Sequence, residues 1–232
     1  MVEIKGLEKF APRDFPGHIS STVFLGGCNF RCPYCHNAEL VLRPGSLPTL
    51  PLDEFLSFLK ARQQWLEAVC ISGGEPLMNK GVVDFAQLLK ERGLLVKIDT
   101  NGSFPSVLDK LLERGCVDLV AMDIKAPFER YQEVTGVRNS VQRIKRSIEM
   151  IKESGVEHLF RTTVVPGLIG PEDIAIIGRM LRGEKIFQLQ QFFPHTTLDS
   201  AYLEREPLKP AVFRELKKIA QAYFEEVRVE GV

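Results

Sequence analysis

Three of the five cysteines in this 232-residue chain fall within eight positions of one another. They are Cys28, Cys32 and Cys35, spaced C-x3-C-x2-C in the segment 26–37, directly after the apolar run Val23-Phe24-Leu25. An odd cysteine count with most members clustered makes a poor disulfide framework and a good metal site. Zinc closes a tetrahedron with four ligands, and the fourth would have to be His36, His18, Cys70 or Cys116. A [4Fe–4S] cluster is held by thiolates, and three local ones leave one iron with a coordination position open to a substrate or cofactor.

Several other chemistry-bearing groups recur at one kind of place. Short β-branched runs alternate with segments of helical period along the whole chain. The strands are read at 19–25, 68–72, 94–99, 117–122, 158–165 and 185–192, and a strand-like tail at 227–229. The cysteines follow the first strand, and Gly73-Gly74-Glu75-Pro76 follows the second. Asp99-Thr100-Asn101-Gly102 ends the third, and Asp123 and Lys125 end the fourth. Arg161 lies within the fifth and His195 just after the sixth. In parallel α/β folds the carboxyl ends of the strands form the rim of the active site. Arg161, mid-strand in an apolar run, must find a partner, because an unpaired buried guanidinium is costly; it is expected to point into this mouth.

Helices are expected between the strands. One begins near residue 49 with Thr49 as its cap, one spans 80–92, and one opens on Pro105. Others span 140–154, begin at Pro171, and run from Pro210 to about 224. Six βα units fall short of the eight that close a full barrel, so the fold class is α/β, a partial, open-sided (β/α)6 barrel. One domain is expected over 1–232: an accessory strand and turn over 1–18, a barrel core over 19–195, and a C-terminal helix and tail over 196–232.

These motifs carry a resemblance. The cysteine spacing, with Tyr34 before the third Cys, resembles the signature of the radical S-adenosylmethionine (radical SAM) enzymes, and Gly73-Gly74-Glu75-Pro76 is similar to their methionine-amine-binding turn. More narrowly, Asp14-Phe15-Pro16-Gly17, Cys35-His36-Asn37, Asp99-Thr100-Asn101-Gly102, Asp123-Ile124-Lys125 and the stretch 161–167 resemble the glycyl-radical-enzyme activases. These are the activating proteins of anaerobic ribonucleotide reductase and pyruvate formate-lyase. The resemblance spans about residues 10–195, and no extra cysteine cluster stands between Cys35 and Cys70, as in the one-cluster activases.

The resemblance implies that Cys28, Cys32 and Cys35 hold a [4Fe–4S] cluster whose open iron binds S-adenosylmethionine. Reductive cleavage then yields a radical that takes hydrogen from a glycine of a partner enzyme. Gly73 and Gly74 would let the backbone approach the methionyl group, and Glu75 would accept from its amine or orient the turn. Lys125 would neutralise its carboxylate or bond its ribose, and Arg161 would face that carboxylate or the partner's peptide. Tyr34, Asn37, Asn101 and His195 would contact the rest of the cofactor. Asp99, Thr100 and Asp123 would bind a monovalent cation. The implied partners are a glycyl radical enzyme, anaerobic ribonucleoside-triphosphate reductase foremost, and a flavodoxin- or ferredoxin-like electron donor. Radical chemistry on a small molecule, as in modified-base biosynthesis, is an alternative; a non-catalytic iron–sulfur or zinc module is another.

Composition points away from other classes. Thirty basic residues balance thirty acidic ones, which gives no reason to expect nucleic acid. No apolar run approaches a membrane span, and the first residues lack a secretory core, so a cytoplasmic location is expected. Cys70 and Cys116 read as small buried hydrophobes.

Overall fold

The computed structural model describes residues 2–138 and 140–232. Eight strands form one sheet whose spatial order follows the chain. β1 (Ile4–Glu8) is antiparallel to β2 (Ser20–Leu25). The rest run parallel: β3 (Ala68–Gly73), β4 (Leu95–Thr100), β5 (Leu119–Asp123), β6 (Glu157–Val164), β7 (Ile186–Gln191) and β8 (Glu226–Glu230). Each crossover returns the chain beside its predecessor, so the sheet curls progressively in one sense. It stays open, because β1 and β8 each have one strand neighbour. The helices are α1 (Ala38–Leu42), α2 (Leu52–Ala61), α3 (Val82–Lys90) and α4 (Pro105–Glu113). They continue with α5 (Tyr131–Thr135), α6 (Val141–Glu153), α7 (Pro171–Met180) and α8 (Pro210–Ala220).

The two faces of the sheet differ in chemistry. Val96, Ile98, Val120, Met122, Phe160, Phe187 and Leu189 are buried in the main apolar core. The alternate positions carry Lys97 and Asp99 on β4, Asp123 on β5, Arg161 and Thr163 on β6, Gln188 and Gln190 on β7, and Glu230 on β8; all line one central cavity. The period-2 alternation of strands therefore gives one apolar face and one polar face. Register puts Asp123 beside Arg161, and Arg161 beside Gln188.

Several sequence expectations need correction. The tail is a full strand, β8, paired with β7 from Ile186 through Gln190, so the sheet has seven parallel strands instead of six. Thr49 caps no helix: α2 starts at Leu52 with Pro51 at its cap position, and the Thr49 hydroxyl accepts from Lys5 Nζ at 2.7 Å. α8 stops at Ala220. The short helices α1 and α5 were not expected, since five residues give too little periodicity to read.

The segment before β2 packs on the sheet. Phe15 is buried with Ala68 and Leu119, the first residues of β3 and β5, and Leu95, the first of β4, packs against them. Asp14 accepts from the Thr22 hydroxyl. The amino ends of three strands thus rest on one ring. Phe15→Ala should lower unfolding stability by about 3 kcal/mol, toward the low end for a buried Phe because a loop can collapse onto the gap. A denaturant midpoint measured at unchanged slope checks this.

Candidate active site

The cysteine loop is built against the turn that follows β3. Gly74 N–H donates to Leu25 O at 3.0 Å, Glu75 N–H to Gly27 O at 2.8 Å, and Gly27 N–H to Leu40 O at 2.8 Å. Asn37 Nδ2 donates to Gly73 O at 2.6 Å. Gly73 has φ +124, and a Cβ there would lie 2.3 Å from Leu25 O. A Cβ on Gly74 would lie 2.1 Å from Gly27 O. Both glycines are thus required by contact between the two backbones inside the protein, and both also line the cavity. Arg31 closes the loop from the other side, its Nη1 donating to Cys28 O at 2.7 Å and to Phe30 O at 2.8 Å.

Cys28, Cys32 and Cys35 are free thiols on the wall of a cavity of about 390 Å³. Burial pushes the Cys28 thiol up to about 11 and Cys32 to about 12, and raises Cys35 as well. Lys125 opposes the rise at all three. Tyr34 is buried between the second and third thiols, and its hydroxyl has no protein partner. Among the described residues no three His, Cys, Asp or Glu side chains converge on a single-ion site. Three thiols on one short loop, Cys32 buried and Cys28 and Cys35 half-buried, stand beside an unpartnered buried hydroxyl and fit a thiolate-held iron–sulfur cluster with a ligand next to it.

The same cavity holds a buried ion network. Lys97 Nζ lies 2.7 Å from Asp99 Oδ1, and Arg161 Nη1 lies 3.4 Å from that oxygen. Arg161 also pairs with Asp123 through its Nε, and Lys125 Nζ lies 2.9 Å from Asp123 Oδ2. Burial works against every one of these charges. Arg161 and Lys97 nevertheless hold the Asp99 carboxyl below its usual range, and Arg161 and Lys125 hold Asp123 well below. The two carboxylates in turn raise Lys97, Lys125 and Arg161. All five are charged, so three cations against two anions leave the network at +1.

The structure brings most of the predicted site together. Cys28, Cys32, Tyr34, Cys35, Asn37, Gly73, Gly74, Asp99, Thr100, Asn101, Asp123, Lys125 and Arg161 line the one cavity. Two do not. Glu75 is completely buried and accepts from Leu77 N, Thr100 Oγ1 and Asn101 N at 3.0, 2.8 and 2.6 Å. It joins the glycine turn to the end of β4 and lies behind the cavity wall, not on it. His195 is exposed in the turn after β7, stacked on Phe193, and off the cavity wall. The monovalent cation site is not supported: Asp99 and Asp123 already have cationic partners, and the Thr100 hydroxyl is turned to Glu75.

Lys97 was missed. Its signal was present, because Lys97 and Asp99 stand two apart in an otherwise apolar strand and must share a face. Gln188, Gln190 and Glu230 also line the cavity, and their role depends on a strand pairing that no local pattern reveals.

The fold and this cavity define a class of enzyme that places a thiolate-held cluster beside a cofactor at the strand ends of an open barrel. The Radical SAM superfamily pattern matches residues 22–176. A protein of Methanocaldococcus jannaschii named as a glycyl-radical enzyme activating enzyme is 34% identical over 99% of this chain and 96% of its own. The pyruvate formate-lyase-activating enzyme of Clostridium pasteurianum is 27% identical over 98% of each chain. Among solved structures, SuiB of Streptococcus suis bound to S-adenosylmethionine superposes with a TM-score of 0.70 at 16% identity, over 88% of this chain and 48% of that one; this last likeness is one of fold. The chain belongs to the radical SAM superfamily and, within it, to the glycyl-radical-enzyme activating enzymes. Its cofactors are those of the class, a [4Fe–4S] cluster and S-adenosylmethionine. Among the described residues no helix is long and apolar enough to cross a membrane.

Two outcomes test this local architecture. Gly74→Ala should displace the cysteine loop and lower bound iron at least several-fold while far-ultraviolet circular dichroism stays native. Glu75, pushed up to about 7 by burial from 4.5, carries more protons folded than unfolded between those values. Stability should therefore fall as pH rises from about 4.5 to 7, by roughly 3 kcal/mol. Glu75→Gln should be less stable at acid pH and lose that slope in pH-resolved urea titrations.

Proposed function

We propose that this chain installs a glycyl radical on a partner enzyme, with the cluster held by Cys28, Cys32 and Cys35 and S-adenosylmethionine seated between those thiols and the ion network. Held there, the cluster would supply the one-electron chemistry that opens the sulfonium carbon–sulfur bond of S-adenosylmethionine for hydrogen abstraction from a glycine Cα of the partner. The observation that carries the reading is the juxtaposition, on one cavity, of three clustered thiols and a buried network of net charge +1.

The residues divide the work. The thiols surrender their protons to solvent as iron binds, since only thiolates ligate. Lys125 and Arg161 receive a carboxylate, which brings the network to neutrality and recovers part of the cost of burying its charges. Tyr34 offers its unpartnered hydroxyl to the same ligand. Asn37 and the two glycines fix the height of the loop above the turn. The surrounding wall limits water, which would otherwise weaken each of these interactions.

The partner placed first is anaerobic ribonucleoside-triphosphate reductase, and the support is the one-cluster build, with no cysteine between Cys35 and Cys70. Pyruvate formate-lyase is the second partner, favoured by the near full-length likeness to an activating enzyme of that name. The electron is supplied from outside the chain, and a flavodoxin- or ferredoxin-type protein is the donor placed in that role. Small-molecule radical chemistry remains the alternative if no protein partner is activated.

Anaerobic reconstitution followed by dithionite and S-adenosylmethionine should release methionine and 5′-deoxyadenosine, and Cys32→Ala should bind no cluster and release neither. A fully loaded protein without cleavage would overturn the reading. Co-incubation with each partner should give a glycine-centred paramagnetic signal on one of them. Lys125→Gln takes the network to zero charge and should weaken S-adenosylmethionine binding about 10- to 100-fold, the range of a charged hydrogen bond, as read by calorimetry.

A further inference from the structure

Behind Cys28 lies a closed set of three polar side chains, Asn29, Asn101 and Ser103, of which Asn101 alone lines the cavity and is expected at the cofactor. Asn101 and Ser103 are buried. Ser103 N–H donates to Asn101 Oδ1 at 2.9 Å. That contact fixes the amide, because only its oxygen can face a donor. The Asn101 Nδ2 group is then the one aimed at Asn29 Oδ1, at 3.1 Å, and at Cys28 Sγ, at 3.8 Å. Asn29 Nδ2 donates in turn to Ser103 Oγ at 2.9 Å. The Asn101 backbone is pinned as well, since its N–H donates to Glu75. Phe30 N–H also reaches Cys28 Sγ, at 3.3 Å. Among the described residues no other side-chain N–H donates to the sulfur of Cys28, Cys32 or Cys35.

We propose that Asn101 is a positioning residue which, held by Asn29, Ser103 and Glu75, donates an N–H to the Cys28 sulfur and thereby raises the reduction potential of the cluster. The inference rests on the reading of Cys28 as a cluster ligand. Reduction adds one electron, delivered by an external one-electron donor of flavodoxin or ferredoxin type, and takes the cluster from [4Fe–4S]2+ to [4Fe–4S]1+. Part of the added charge falls on the thiolate sulfurs. An N–H dipole aimed at a sulfur stabilises the electron-rich form more than the oxidised one, so hydrogen bonds to the sulfurs move the potential upward. The geometry assigns this effect to one corner of the cluster, and it connects the Gly73-Gly74-Glu75 turn to that corner through the Asn101 backbone.

The test uses the full chain, reconstituted anaerobically with iron and sulfide, as Asn101→Ala and Asn101→Asp beside the parent. Asp retains an oxygen for Ser103 N–H, loses the donor to Cys28 and to Asn29 Oδ1, and adds a negative charge, so Asn101→Ala is the variant that reads the lost N–H alone. Redox titration of the 2+/1+ couple, with iron counted per chain, should give four irons and a more negative midpoint in both variants, the larger shift in Asn101→Asp. A variant with four irons and the parent midpoint overturns the proposal. So does loss of iron in both variants with native circular dichroism, which would make Asn101 a residue of cluster assembly. Cys28→Ala separates the two readings: four irons and an unchanged midpoint there would remove Cys28 from the ligand set, a failure of the ligand assignment itself.

Discussion

Two backbones meet without side chains between them where the loop after β2 crosses the turn after β3. Leu25 O and Gly27 O accept from the N–H groups of Gly74 and Glu75, and either glycine with a Cβ would collide with the loop backbone. The contact decides more than a loop conformation. It sets the height of Cys28 above the sheet, and Asn37 repeats the attachment on the far side of the cysteines by bonding Gly73 O. Glu75 then carries the same positional information sideways, through two donors, Thr100 Oγ1 and Asn101 N, to the end of β4. Strands β2, β3 and β4 therefore reach the site as one unit. An error at the glycine turn would propagate to the thiols and to Asn101 together.

The second constraint is electrostatic. Five charged groups share one buried network, and desolvation opposes each of them. Such a network is weak evidence for stability, because pairing in a protein interior does little more than offset the cost of leaving water. Its excess of one positive charge makes sense as a preference for an anionic ligand. The barrel interior differs here from a full eightfold barrel, whose centre is filled by branched apolar side chains. In this chain the inward positions of β4 to β8 are largely charged or amide groups, and the centre is a cavity. The apolar core that holds the sheet together lies between the strands and the outer helices, at Phe160, Phe187, Ile98 and their neighbours. Stability and chemistry are thus assigned to opposite faces of the same strands.

That division also explains the edges. A sheet that curls without closing leaves a side of the cavity bounded by an edge strand, as a catalyst acting on another protein requires. β8 forms that boundary, and its Glu230 lines the cavity while bonded to Gln188 at 2.5 Å. The amino end of the barrel is treated in the opposite way, being covered by Phe15 and its partners.

The sequence by itself determined the strand–helix alternation, the spacing of the three cysteines, and the placing of glycines, acids and a lysine at strand ends. Those features are local: periodicity, caps and breakers are written in adjacent residues, and a parallel α/β topology carries strand ends to one rim. From them the family and its cofactors could be read. Tertiary structure decided which of those residues face the cavity and which face each other. Glu75 was legible as a motif residue, yet its carboxylate belongs to Thr100 and Asn101, because only the packed sheet brings β3 and β4 ends within hydrogen-bond reach. Asp99 and Asp123 were legible as a pair of acids, yet their charges are met by Lys97, Arg161 and Lys125, since lateral register between strands is a non-local quantity. His195 stands in the expected order along the chain, exposed in the turn after β7 and stacked on Phe193, outside the cavity lining. β8 looked like a tail because five residues carry little pattern of their own, and pairing with β7 makes them a strand.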